Sequence, residues 1–201
     1  MTTATATPPP QSPQLPAPAS VTRMTAEEFG LKHAGDRVEY INGEVKEMPM
    51  PGGKHGTVCF EITLVLGNHI RSNQLGRVFT NDTFVRVPIP SDPQRVYGPD
   101  VGFVSFDRMA RDAVVPDGVL NVLPNLVVEV RSPSDTWTDV LGKVLDYLRA
   151  GVPVVLILDP NTRSASVFRN EARQEIFEAE TELRLPDVLP GFAVSVASLF
   201  A

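Results

Sequence analysis

The chain has 201 residues, a formal net charge of -6 and a 42% hydrophobic share. That length and composition suit one domain with a real core, and the acidic balance excludes a protein that coats nucleic acid through bulk positive charge, leaving only local patches. A single cysteine, Cys59, excludes an internal disulfide and any multi-cysteine zinc site, and its place in an apolar stripe reads as core.

Residues 1–22 are rich in Pro, Thr, Ala and Ser with almost no large apolar side chain. They read as a disordered leader, because little burial would offset the entropy of ordering them. They lack the basic start and apolar stretch of a secretory signal, and no window reaches the length of a membrane span, so a soluble, cytoplasmic protein is expected. Residues 23–201 read as one domain.

Thr25-Ala-Glu-Glu-Phe29 has the spacing of a capping box, with Thr25 as N-cap and Glu28 three residues on. Residues 37–48 hold two β-prone runs around Asn42-Gly43, a strong hairpin signal because both residues tolerate positive φ. From Thr57 to about Asn73, Val58, Ile62, Val65, Leu66, His69 and Ile70 recur at helical spacing, with Gly52-Gly53 as the break before them. Strands are predicted at 77–80, 83–88 and 99–105, with Asp100 opening the last. Residues 107–121 read as a loop with a helical turn.

Leu126-Val-Val-Glu-Val130 is a strand built for burial, and a helix from about Thr136 to Ala150 follows, capped by Ser134 or Asp135 and ended by Gly151. Leu141, Val144, Leu145 and Leu148 are its expected apolar face. Val154 to Asp159 is a continuous apolar run suited to a central strand, so 126–159 predicts a βαβ crossover with two parallel strands. Shorter antiparallel strands and a terminal turn complete the chain. The fold class is α/β: a mixed central sheet flanked by helices, with an N-terminal β-hairpin.

Glu129 sits among valines, and a lone buried carboxylate is costly. Side chains alternate along a strand, so Arg131 is its nearest cationic neighbour and the simplest partner. Asp100, at the mouth of another strand, can converge on the same point. Two acids meeting without a cation repel each other; a Mg²⁺ ion held by both and a backbone carbonyl removes the repulsion and activates a water.

Pro99-Asp100, Leu126-Val-Val-Glu-Val-Arg-Ser-Pro-Ser134, the Asp139, Lys143, Tyr147, Gly151-Val-Pro153 series and Leu158-Asp-Pro160 together resemble the Uma-type putative restriction endonuclease family of the PD-(D/E)XK nuclease superfamily. Glu39-Tyr-Ile-Asn-Gly-Glu44 and His55 are similar to its opening, so the resemblance spans about residues 24–200. It implies a restriction-endonuclease-like fold and hydrolysis of DNA phosphodiester bonds with Mg²⁺ or Mn²⁺. Asp100 and Glu129 would be metal ligands with the Val130 carbonyl, and a homodimer would serve the two strands of a duplex. Where the superfamily carries a strand lysine this chain has Arg131, which cannot readily act as a base. Lys143 is the position the family offers instead.

Plainer readings stand beside these. Lys143 fits an exposed i,i+4 pair with Asp139. His55 fits a core or capping role, Glu44 an exposed strand residue, and Asp139 and Tyr147 packing and helix roles. Lys46, Lys54, Arg71, Arg77, Arg86 and Arg95 are the cations that a nucleic-acid groove would draw on. The rival function is a catalytically inactive nuclease-fold module that binds nucleic acid or a protein partner; a third is an enzyme acting on another phosphate ester.

Overall fold

A computed structural model describes residues 23–80, 82–170 and 174–201. The leader expected over 1–22 lies outside them. Among the described residues no helix is long and apolar enough to cross a membrane.

Helix α1 (Ala26–Lys32) opens on the expected capping box, with the Thr25 hydroxyl accepting from the Glu28 N–H while the Glu28 carboxylate accepts from the Thr25 N–H. Strands β1 (Val38–Ile41) and β2 (Glu44–Glu47) form the hairpin, and Asn42 and Gly43 take the positive φ values its tight turn demands. Helix α2 (Gly53–Ser72) starts four residues before the predicted Thr57. Gly53 lies inside its first turn, so His55 belongs to the helix rather than preceding it.

Strands β3 (Gly76–Thr80), β4 (Val85–Arg86), β5 (Val96–Tyr97) and β6 (Val101–Ser105) follow. The run at 83–88 keeps only two strand residues, and β5 carried too short an apolar pattern to stand out. Then come β7 (Leu126–Val130), α3 (Trp137–Ala150), β8 (Val154–Asp159), β9 (Ser164–Arg169), β10 (Glu175–Phe177), β11 (Glu182–Arg184), β12 (Ala193–Ser195) and a terminal 3₁₀ turn, Val196–Phe200.

The main sheet runs β10-β9-β8-β7-β6-β3, and β7 and β8 are its parallel pair, joined through α3 as the βαβ pattern requires. The other pairings in it are antiparallel. A smaller sheet, β2-β1-β5-β4, holds the hairpin. Leu126, Val128 and Val130 pack with Val58, Ile62, Leu66 and Ile70 of α2, and the opposite face of β7 packs Val127 with Val144, Tyr147 and Leu148 of α3. Two helical layers therefore cover one sheet, and β7 and β8 are apolar almost throughout because both their faces are buried.

Helix α3 is rotated from its expected orientation. Val140, Val144, Tyr147 and Leu148 face the sheet, while Leu145 is 50% exposed and Leu141 also faces outward. Its cap is Thr136, not Ser134 or Asp135, and Gly151 ends it with a φ of 108°. The rotation turns Lys143 and Tyr147 toward the sheet.

Candidate active site

Strand β7 stops because Ser132-Pro133 follows: proline has no N–H for the ladder and disfavours helical backbone before it. The Ser132 N–H donates to Asp135 Oδ2 at 2.7 Å, turning the chain toward α3. A crevice opens beyond the carboxyl ends of β7 and β8, where open α/β sheets place their ligands. A cleft of about 280 Å³ lies there, walled also by the β1–β2 hairpin and the first turn of α2.

Asp100, Glu129, Val130, Arg131, Lys143 and His55 all line this cleft. In the antiparallel register Val101 faces Val128, so Asp100, one step outside β6, comes level with Glu129. The Asp100 side chain leans to the α2 side, where Oδ2 accepts from the Val130 N–H at 2.7 Å and lies 3.4 Å from His55 Nε2. That contact holds the His55 proton more tightly than usual, against the opposing effect of burial. A strand residue's N–H and C=O point to the same edge, so the Val130 carbonyl faces the Asp100 side too.

Glu129 approaches from the α3 side. Its Oε1 accepts from the Tyr147 hydroxyl at 2.7 Å. Burial raises its pKa to about 8; Asp100 and Glu39 add repulsion, and the Lys143 ammonium and the Tyr147 hydrogen bond oppose. Arg131 is not its partner. The guanidinium donates to Asp159 Oδ2 at 2.7 Å and to the Asp135 carbonyl at 3.1 Å, and lies 4.9 Å from the Trp137 ring centroid. Arg131, one residue beyond β7, reaches the neighbouring strand β8, whose terminal Asp159 is nearly fully buried and needs a cation.

Lys143 does not form the surface pair with Asp139, whose carboxylate accepts from the Thr136 hydroxyl instead. Its ammonium donates to Glu39 Oε1 and lies 5.3 Å from the Tyr97 ring centroid. Glu129, Glu39 and Asp100 together hold its proton firmly against the cost of burial. Glu39 is 1% exposed and was missed as a site residue. Its signal was the one Glu129 gave, an acid between Val38 and Tyr40 in a short strand. Tyr147, expected to pack, supplies Glu129 with its hydrogen bond.

Glu44 stands exposed on β2 and does not line the cleft. Cys59 is half-buried rather than core, with Sγ 3.3 Å from His55 Nδ1; burial and the nearby carboxylates keep the thiol protonated. Of the six cations expected to serve a groove, Lys46 alone lines the cleft. Arg95 is buried against Asp92, Tyr97 and Asp146, Arg77 is held by the Ala113 and Arg111 carbonyls, and Arg86 reaches the Pro93 carbonyl, so these do not form one row. At the cleft, Arg37 pairs with Asp82 at 3.2 Å, and Asp82 adopts a left-handed φ of 55°.

The donor set suits a hard divalent cation. Seven carboxylates line the cleft against four lysine or arginine side chains. One of the carboxylates, Glu39, keeps a buried oxygen, Oε2, with no protein hydrogen bond among the described residues. Buried carboxylate oxygens rarely go unpartnered, and oxygen ligands are what Mg²⁺ and Mn²⁺ take.

A crystal structure from Anabaena variabilis ATCC 29413, titled as a putative nuclease belonging to DUF820, is similar in fold: the TM-score is 0.74 at 23% identity, covering 88% of this chain and 97% of that one. No curated protein matches the sequence. A family model described as Uma2, "Putative restriction endonuclease", matches residues 24–197. The chain belongs to the Uma2 family of putative restriction endonucleases.

Proposed function

We propose that this protein is a divalent-metal-dependent endonuclease that hydrolyses phosphodiester bonds in DNA. The observation that carries this reading is the strand register that brings Asp100 level with Glu129 at one cleft, beside the buried, unpartnered Glu39 Oε2 and the cationic Lys143. Asp100 and Glu129, with the Val130 carbonyl, would hold Mg²⁺ or Mn²⁺, and Glu39 adds a third acid. When bound, the ion offsets phosphate charge and makes an adjacent water a stronger nucleophile. Without such an ion, the excess of carboxylates would repel a polyanion.

The protein's own groups then have distinct tasks. The Val130 N–H and His55 fix Asp100, and the Tyr147 hydroxyl fixes Glu129, so both carboxylates are oriented before a ligand arrives. Lys143 keeps its proton and is placed to stabilise charge developing on the scissile phosphate. Arg131, bound to Asp159, shapes the strand end and the helix entry. Two copies would present two clefts to a duplex.

Supercoiled plasmid incubated with Mg²⁺ or Mn²⁺ tests the reading. Nicked or linear product is expected with the wild type and is lost with chelator, with Asp100→Ala and with Glu129→Gln. Wild-type protein that leaves duplex and single-stranded DNA intact with either ion, or product that persists in both variants, overturns it.

A further inference from the structure

Beside the oxygen-rich cleft, a second donor cluster draws on its His55 and Asp100 and adds a sulfur. His55 and Cys59 are four residues apart on α2, so their side chains share one helical face, the spacing by which a helix offers two ligands to a metal. Asp100 completes the group: one atom from each of the three residues, an imidazole nitrogen, the sulfur and a carboxylate oxygen, lies within 4.8 Å of the other two. The sulfur is 3.3 Å from His55 Nδ1 and Asp100 Oδ2 is 3.4 Å from His55 Nε2.

We propose that His55, Cys59 and Asp100 form a site for a thiophilic divalent ion, of which Zn²⁺ is the best fit, beside the oxygen-only site. Zinc bonds of about 2.0–2.3 Å to nitrogen, oxygen and sulfur put tetrahedral ligands roughly 3.3–3.6 Å apart, so the three donors, within 4.8 Å of one another, need only a modest contraction. Nδ1 faces the sulfur and Nε2 the carboxylate, so the ring must turn until one nitrogen serves the ion. His55 and Asp100 border the cleft, from which water would fill the fourth position.

The donor chemistry separates the two sites. Thiol and imidazole select Zn²⁺, Co²⁺ or Cd²⁺, whereas Mg²⁺ prefers carboxylate and water and gains little from sulfur. On binding, the thiol becomes a thiolate and releases one proton to solvent. Asp100 is common to both sites, so an ion held by Cys59 draws that carboxylate away from Glu129. The inference goes beyond the nuclease reading and shares with it Asp100 and the His55 that orients it.

Co²⁺ added to the full-length protein tests it. A thiolate-to-cobalt charge-transfer band in the near ultraviolet is expected, saturating at one ion per chain. It is lost in Cys59→Ser, retained in Glu129→Gln, and in His55→Gln the affinity falls by more than the roughly 10-fold to 100-fold cost of losing an outer partner. Cys59 is the chain's one cysteine, so alkylation reads this site without any substitution: Zn²⁺ slows it and Mg²⁺ does not. A wild type with no charge-transfer band at saturating Co²⁺, a band that persists in Cys59→Ser, or alkylation indifferent to Zn²⁺ overturns the proposal. A cobalt band without Mn²⁺-dependent cleavage leaves this site standing and removes the nuclease reading; cleavage without the band does the reverse.

Discussion

The ammonium of Lys143 on α3 and the carboxylate of Glu39 on β1, 104 residues apart in the chain, meet as a hydrogen-bonded pair in the wall of the cleft. The Glu39 side chain is 2% exposed and that of Lys143 23%, so neither charge is well solvated. Lys143→Met should therefore destabilise the fold by about 3–5 kcal/mol, the cost of leaving one member of a buried pair uncompensated. The double variant Glu39→Gln/Lys143→Met should recover most of that loss. Urea unfolding of the three proteins measures both, and a single-variant loss below about 1 kcal/mol would show that water already screens the pair.

Under the proposed nuclease function, Lys143 and Arg131 are the two candidates for one charge-stabilising task, and their contacts separate them. Arg131 is committed to Asp159, Asp135 and Trp137, whereas Lys143 stands among Glu39, Glu129 and Asp100. Lys143→Ala should lower kcat by about 10²–10³, as loss of a group that stabilises transition-state charge does. Arg131→Ala should chiefly lower stability, because Asp159 is left buried without its cation. Rates per folded molecule, measured where circular dichroism shows each variant native, decide the matter. A larger kcat loss in Arg131→Ala than in Lys143→Ala would reverse the assignment.

The turns and apolar runs were legible in the sequence because they are local. Asn42-Gly43 makes a hairpin wherever it sits between β-prone runs, and Val154 to Leu158 has no surface to offer water. Asp100 and Glu129 were legible as cleft residues because each stands out in an apolar setting. What was not legible depends on rotation and on long-range partners. The Leu141 and Leu145 stripe suggests one buried face of α3, yet Tyr147 and Lys143 turn inward because Glu129 and Glu39 await a donor and a cation across the sheet interface. Arg131 follows the same rule, drawn to Asp159 on a strand that lies 28 residues away in sequence.

Two leucines on α3 give that rotation a direct check. Leu148 is buried against the sheet and Leu145 is half exposed. Leu148→Ala should cost about 2–5 kcal/mol, the range for truncating a core leucine. Leu145→Ala should stay within about 0.5 kcal/mol, as substitutions on open surface do. Equal losses in thermal unfolding would place both residues in the core and return α3 to the orientation that its leucines suggest.

Under the proposed metal role, Glu129 would set how ion binding depends on pH. Burial, with Asp100 and Glu39 adding repulsion, lifts its carboxyl from an ordinary 4.5 to about 8 in the ion-free fold, against Lys143 and the Tyr147 hydrogen bond. The folded state then binds this proton more tightly than the unfolded chain. The stability it contributes is complete below about pH 4.5 and is lost as pH rises through about 8. A divalent ion needs the carboxylate, so below that pH each ion bound expels one proton, and Mn²⁺ affinity should rise by about tenfold per pH unit before levelling above it. Mn²⁺ titrations followed by electron paramagnetic resonance on both sides of that pH measure the slope. Glu129→Gln, which carries no such proton, should bind Mn²⁺ weakly and with a flatter profile. Wild-type affinity that does not change through this range would mean that Glu129 is already ionised in the ion-free protein, with Lys143 outweighing both its burial and its acidic neighbours.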